Sequence, residues 1–112
     1  MLYHNPRCSK SRATLELLRQ SGVAPRVVEY LDTPPDAAEL DAVLRRLGME
    51  PREFMRRQEP EYAGLGLDDP ALTRGQLVAA MVAHPRLIQR PVLVVGDRAR
   101  IGRPPERVLE IL

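Results

Sequence analysis

The 112-residue sequence contains one cysteine and no tryptophan. A lone cysteine cannot form an internal disulfide, which excludes the disulfide-stapled scaffold of many small secreted domains. One cysteine and two histidines that lie far apart in the chain do not provide the ligands of a zinc site, so we expect no bound metal. A protein of the reducing cytoplasm is therefore predicted.

The chain also lacks an apolar run long enough to span a bilayer or to form the hydrophobic region of a signal peptide. Aromatic residues make up 4% of the sequence, and basic residues are interspersed with acidic ones to give a net charge of +2. We therefore expect neither a membrane nor a nucleic acid as partner. The length corresponds to a single domain, residues 1–112, and we expect a monomer.

The only cysteine, Cys8, lies between a short apolar segment and an amphipathic run, which predicts a turn from a strand into a helix. A free thiol titrates near ~8.5, so only a few per cent is nucleophilic thiolate at neutral pH. Arg7, Lys10 and Arg12 place positive charge around this cysteine, and the first helical turn favours an anion. The pattern predicts a reactive thiolate rather than a buried structural cysteine.

Two polar neighbours complete this environment. The hydroxyl of Ser11 can donate a hydrogen bond to the sulfur, and His4 is near enough to tune the sulfur or its proton. We therefore count His4, Ser11 and Arg12 as residues that support the thiolate of Cys8.

The hydrophobic pattern predicts a βαβ unit, a helical insertion at about residues 34–84, and a ββα unit. Strands are expected at 2–4, 25–31, 92–95 and 99–101, and helices at 11–20, 36–47, 52–57, after Thr73, and at 106–112. This order predicts an α/β, thioredoxin-like fold with a mixed four-stranded sheet.

The same patterns predict local features within these elements. Asp32 or Thr33 is expected to cap the helix at 36–47. Residues 58–70 are expected to be irregular, and to be packed down by Tyr62, Leu65 and Leu67. In the closing helix, the side chains expected to face the sheet are those of Val108, Leu109 and Leu112.

Sixteen of the seventeen basic residues are arginine, whose planar guanidinium group binds oxyanions through two hydrogen bonds. Arg90 and Arg103 each precede a proline at the edge of the predicted sheet where Cys8 also lies. The Arg90–Pro91 bond is a candidate cis peptide bond. Arg56, on the insertion, could close over the same site. These positions predict an anion site beside the cysteine.

The motifs named so far resemble the glutaredoxin-linked arsenate reductase (ArsC) family, nearly end to end and in order. They are residues 4–12 (HNPRCSKSR), 30–35 (YLDTPP), Arg56, 84–85 (HP), 89–91 (QRP) and 102–106 (GRPPE). The sequence departs from well-studied reductases of the family at Ser9-Lys10, where those proteins carry Gly-Thr.

The resemblance implies a thioredoxin-like fold with a helical insertion, and reduction of arsenate or a similar oxyanion with glutathione and glutaredoxin as electron source. Cys8 would be the nucleophile, and Arg56, Arg90 and Arg103 would bind the anion. No bound cofactor is implied, and glutathione would be a co-substrate. Because the chain has no second thiol, the electrons must come from another molecule.

Two other functions remain open. One is a glutathione-dependent thiol reductase or deglutathionylating enzyme that uses Cys8 against a mixed disulfide. The other is a redox-sensing transcription regulator that binds RNA polymerase, because such regulators share this fold. Those sensors usually carry Cys-x-x-Cys, whereas Ser11 stands at the second position here.

Overall fold

The computed structural model describes all residues from Met1 to Leu112. Strands β1–β4 are Leu2–His4, Val27–Glu29, Val92–Val95 and Arg98–Ile101, and helices α1–α5 are Ser9–Gln20, Ala37–Leu47, Pro51–Phe54, Pro60–Gly64 and Arg74–Ala83. Two 3₁₀ helices span Pro85–Leu87 and Pro105–Ile111. None of these helices combines the length and the hydrophobicity needed to cross a lipid bilayer.

The chain divides into two compact units. The first combines Met1–Thr33 with Arg90–Leu112, and the second is Pro34–Gln89. The second unit extends past residue 84 because Ile88 forms a β-bridge with Met55, which holds the segment after α5 against α3.

The first unit contains a mixed sheet of four strands in the order β2-β1-β3-β4. Strand β1 pairs in parallel with β2 and antiparallel with β3, so that Tyr3 lies between Val28 and Val92. Strands β3 and β4 form the predicted hairpin, with Val95 opposite Arg98. The mixed four-stranded sheet predicted from the sequence is confirmed.

The core of this unit joins the sheet, α1 and the last 3₁₀ helix through Leu2, Leu18, Leu93, Val108 and Ile111. Burial of one such side chain contributes about 1.5–3 kcal/mol. The prediction that Leu109 and Leu112 face the sheet is wrong: these residues are 40% and 52% exposed. The segment is a 3₁₀ helix with three residues per turn, which places Val108 and Ile111 on one face instead.

In the second unit, Asp36 caps α2, because its side chain accepts a hydrogen bond of 2.8 Å from the backbone of Glu39. The predicted cap, Asp32 or Thr33, is wrong, since the amides of both residues bond to the carbonyl of Glu29 in a turn after β2. The cap predicted at Thr73 is confirmed by a reciprocal pair of bonds with Gln76.

The segment expected to be irregular, residues 58–70, contains the short helix α4. Pro60 begins this helix, because its restricted φ angle suits the first helical position. Tyr62 and Leu67 are buried as predicted, whereas Leu65 is 46% exposed.

Candidate active site

Cys8 stands at the point where the loop after β1 enters α1. Its backbone amide donates a 3.0 Å hydrogen bond to the carbonyl of Asn5, whose side chain also accepts one from the amide of Arg7. Cys8 is the N-cap residue of α1, with extended backbone angles, and it is partly buried. The thiol is therefore placed beside the unpaired amides at the start of a helix.

The surroundings of Cys8 favour the thiolate. Burial alone raises the pKa of the thiol, but the amide of Ser11, the charge of Arg90, the amide of Lys10 and the charge of Arg103 together outweigh it. The pKa of Cys8 is consequently lowered from its ordinary value. Helix amides and guanidinium groups thus make the sulfur a better nucleophile at neutral pH.

Part of the positive charge at the sulfur comes from residues that are distant in the chain. The charges of Arg90 and Arg103 lower the pKa of Cys8. Arg12 instead donates a 3.0 Å hydrogen bond from Nη1 to the carbonyl of Pro6, and so supports the loop.

Arg103 lies beside the sulfur. Its Nη2 donates to Cys8 Sγ at 3.7 Å, and its Nε donates to the carbonyl of Arg90 at 2.8 Å. The second bond orients the guanidinium group. The predicted cis peptide bond between Arg90 and Pro91 is confirmed, and the bond between Arg103 and Pro104 is also cis.

The guanidinium group of Arg90 indicates that the site binds a ligand. Its Nε and Nη1 are buried and have no hydrogen-bond partner. A buried donor without a partner costs about 1–3 kcal/mol, so such groups in a folded protein call for a ligand or a function. With Arg103 and the first amides of α1, these donors form a site beside Cys8 that is suited to an oxyanion.

His4 and Ser11 form a buried pair next to this loop. His4 Nδ1 and Ser11 Oγ are hydrogen-bonded at 2.6 Å, and the amide of Asn5 donates to the same oxygen at 3.0 Å. Burial lowers the pKa of His4, Arg19 and Arg12 lower it further, and Glu29 opposes them, so the imidazole is neutral near pH 7.

This pair corrects the role expected of Ser11. The serine hydroxyl bonds to His4 and Asn5, and it is the backbone amide of Ser11 that favours the thiolate. His4 is thereby bonded to the first turn of α1, which follows Cys8, and its support of the thiolate stays a prediction.

Two further residues, Thr14 and Gly102, shape the site and were not identified from the sequence. Thr14 is fully buried in α1, and its hydroxyl donates to the carbonyl of Lys10 at 2.9 Å. Gly102 donates to the carbonyl of Pro91, and a Cβ atom at Gly102 would lie 2.5 Å from Thr14 Oγ1 and 2.8 Å from Pro91 Cγ. Only glycine therefore lets the Arg103 loop approach α1 this closely. The sequence signal that could have identified Gly102 is its place directly before Arg103, a predicted site residue.

Arg56, the third predicted anion-binding arginine, belongs to the second unit. Its amide donates to the carbonyl of Leu87, and its side chain forms an ion pair with Glu59. Glu59 is also paired with Arg86 at 3.1 Å. The proposed place of Arg56 over Cys8 stays a prediction.

Comparison with known proteins agrees with this geometry. The model of the ArsC family matches residues 3–111. The chain is 55% identical over 112 residues to the uncharacterised protein YfgD of Escherichia coli, covering 99% of this chain and 94% of that protein. It is 46% identical over 112 residues to an arsenate reductase of Neisseria meningitidis, covering 99% of this chain and 96% of that protein.

Among solved structures, the arsenate reductase of Vibrio cholerae superposes with a TM-score of 0.97 at 51% identity, covering all of this chain and 96% of that chain. Similarity over this length and at this identity establishes family as well as fold. The chain therefore belongs to the ArsC family and has its thioredoxin-like fold.

Proposed function

We propose that this protein is an arsenate reductase in which Cys8 attacks an arsenate held by Arg90 and Arg103. One observation carries the proposal: the sulfur with a lowered pKa lies 3.7 Å from Arg103, next to buried guanidinium donors of Arg90 that lack a partner. Relatives at 46% and 51% identity that are named arsenate reductases support the choice of substrate.

Charge explains why the arginines are needed. Arsenate carries between one and two negative charges near neutral pH, and it must approach a thiolate. Two unit charges about 4 Å apart interact by roughly 4 kcal/mol at an effective dielectric constant of 20. Repulsion of this size would nearly prevent attack, whereas two guanidinium groups beside Cys8 make the local potential favourable for a second anion.

The reaction begins when the Cys8 thiolate forms a bond to arsenic(V) and an arsenate oxygen, once protonated, leaves as water. Glutathione then displaces a second oxygen and becomes bonded to arsenic through its sulfur. The thiolate of glutaredoxin attacks that glutathione sulfur, a disulfide forms, and the arsenic–sulfur electron pair stays on arsenic, which becomes arsenic(III). Water finally hydrolyses the bond to Cys8 and releases arsenite.

Glutathione and glutaredoxin are proposed as donors because Cys8 is the only thiol of the chain. The cytoplasm, which supplies glutathione and keeps such a thiol reduced, is the proposed location. Arg56 is proposed as a third ligand of the oxyanion.

An arsenate reduction assay with glutathione and glutaredoxin tests the proposal directly. Wild-type protein should produce arsenite, and Cys8→Ser should produce none above the buffer rate. Mass spectrometry of the protein quenched during turnover should show an arsenic adduct on the peptide that contains Cys8. Turnover that survives Cys8→Ser would contradict the proposed nucleophile.

A second function is favoured by the lone, partly buried thiolate, since such a thiol also attacks mixed disulfides. In that case the protein would remove glutathione from other proteins. Measuring both activities in a variant of Arg103 separates the two functions.

A further inference from the structure

A cavity of about 230 Å³ lies next to the active-site loop and is formed entirely by the first unit. Two segments line it. One follows β1 and includes His4, Asn5 and Arg7, and the other ends β2 and includes Glu29, Leu31 and Asp32. His4 pairs with Glu29 in the parallel register, so both segments leave the sheet at the same edge. Ligands of parallel α/β units commonly bind at this edge.

The cavity and the arginine site lie on opposite sides of β1. In the strand order β2-β1-β3-β4, the cavity belongs to the β2 side, whereas Arg90 precedes β3 and Arg103 follows β4. Between them stands Cys8, whose amide is bonded to the carbonyl of Asn5 in the cavity wall. A molecule in the cavity can therefore approach an adduct on Cys8 from the side opposite the anion-binding arginines.

The cavity offers charged groups that the fold does not use. The side chains of Arg7, Glu29 and Asp32 form no ion pair and no hydrogen bond within the protein. Leu31, which is 39% exposed, adds an apolar surface. The lining of the cavity thus includes one guanidinium group, two carboxylates and an apolar side chain, which suits a ligand that is itself a zwitterion.

We infer that this cavity binds the γ-glutamyl end of glutathione, which carries one carboxylate and one ammonium group. Arg7 binds the carboxylate, and Glu29 and Asp32 bind the ammonium group. The volume is below the roughly 300–1,000 Å³ of sites that enclose a whole small molecule, so only this end of the tripeptide enters. The cysteinyl sulfur remains outside, directed to the arsenic on Cys8. The inference rests on the proposed function, in which glutathione is an electron donor, and it assigns glutathione a separate binding site.

Binding without turnover is the first test. The probe is S-methylglutathione, which cannot react, added to isotopically labelled wild-type protein while amide shifts are followed by NMR. Shifts are expected at Asn5, Arg7, Leu31 and Asp32. Arg7→Gln should weaken binding about tenfold, the effect of losing a charge-assisted hydrogen bond.

Two controls sharpen this titration. S-methylcysteinylglycine lacks the γ-glutamyl residue and should bind at least about tenfold more weakly than S-methylglutathione. Arg98→Gln removes an exposed arginine at the hairpin end of β4, far from the cavity, and should bind the probe as the wild type does. Equal binding of the two probes, or shifts confined to residues near Arg90 and Arg103, would overturn the inference.

Steady-state kinetics separates this inference from the proposed function. Arg7→Gln and Asp32→Asn should raise the KM for glutathione about tenfold and leave the KM for arsenate unchanged. Probe binding in the cavity by a protein that does not reduce arsenate would uphold the site and reject the proposed function. Arsenate reduction with no response of the cavity residues to the probe would reject the site and uphold the function.

Discussion

Arg103 donates from Nη2 to the sulfur of Cys8 at 3.7 Å, although 94 residues separate the two positions in the chain. The Nε of the same arginine is bonded to the backbone of Arg90, so the guanidinium group is held in place before any ligand arrives. A fixed cation at this distance both favours the thiolate and provides a donor for an oxyanion. Preorganised charge of this kind needs little rearrangement when the anion binds.

Removal of the Arg103 guanidinium group should slow the reduction of arsenate more than the reaction of Cys8 with a mixed disulfide. For Arg103→Ala we expect kcat/KM for arsenate to fall by about 10²–10³, the range found when one preorganised donor is lost. Arg103→Lys keeps the charge but loses the planar guanidinium group with its paired donors, and should recover only part of the activity. Parallel assays of arsenate reduction and of a glutathione mixed disulfide measure both reactions. Equal losses in the two assays would count against an oxyanion role, and Arg98→Ala serves as the neutral control.

The thiol itself should titrate below its ordinary pKa. The rate of alkylation by iodoacetamide should rise with pH and reach half its maximum at a lower pH than for the cysteine of a short unstructured peptide. The double variant Arg90→Ala, Arg103→Ala should shift this midpoint upward, because both charges lower the pKa. An unchanged midpoint in the double variant would show that the helix amides act alone.

The same shift predicts how stability depends on pH. Between the folded and unfolded pKa values of Cys8, the unfolded chain binds more protons than the folded protein. The contribution of Cys8 to the free energy of unfolding should therefore increase as the pH rises through that window. This contribution is lost as the pH falls through the folded pKa. Urea unfolding of wild type and Cys8→Ser across this range measures the difference. A difference that is independent of pH would contradict the lowered pKa.

The buried pair of His4 and Ser11 should contribute mainly to stability. Ser11→Ala leaves His4 Nδ1 and the amide of Asn5 without their partner, and we expect a loss of about 1–3 kcal/mol in the free energy of unfolding. Ser21→Ala, which removes an exposed hydroxyl at the end of α1, is a matched control and should cost less. Urea denaturation measures both variants. A Ser11 variant as stable as the control would show that water replaces the hydroxyl.

Gly102 should tolerate no side chain. A Cβ atom would lie 2.5 Å from Thr14 Oγ1, so Gly102→Ala should cost about 1–3 kcal/mol in stability and displace the Arg103 loop. Gly75→Ala, in helix α5 with no atom nearer than 4.0 Å, should instead stabilise the protein by about 0.5–1 kcal/mol. Thermal unfolding measures both. Thr14→Ala should recover part of the loss at Gly102, and strictly additive effects would contradict a direct contact.

Much of the fold follows from local patterns that the sequence displays. The strand at residues 2–4, the helix after Cys8 and the hairpin around Gly96 are determined by hydrophobic period and by turn residues, and the structure contains each of them. The prediction was wrong where one hydrophobic pattern fits both an α-helix and a 3₁₀ helix. Near Val108 a 3₁₀ helix replaces the expected α-helix, so that Ile111 takes the core position expected of Leu112.

The candidate nucleophile was likewise predicted from the sequence, because Cys8 is the only thiol and it precedes a helix. The amides of Ser11 and Lys10 lower its pKa as the predicted helix start implies, whereas the charges that Arg90 and Arg103 contribute were decided only in the tertiary structure. Arg12, a neighbour in the chain, is bonded to the carbonyl of Pro6, while the fold brings Arg90 and Arg103 to the sulfur from the far end of the chain. Electrostatic interaction depends on distance in space, and a sequence specifies that distance only through the fold.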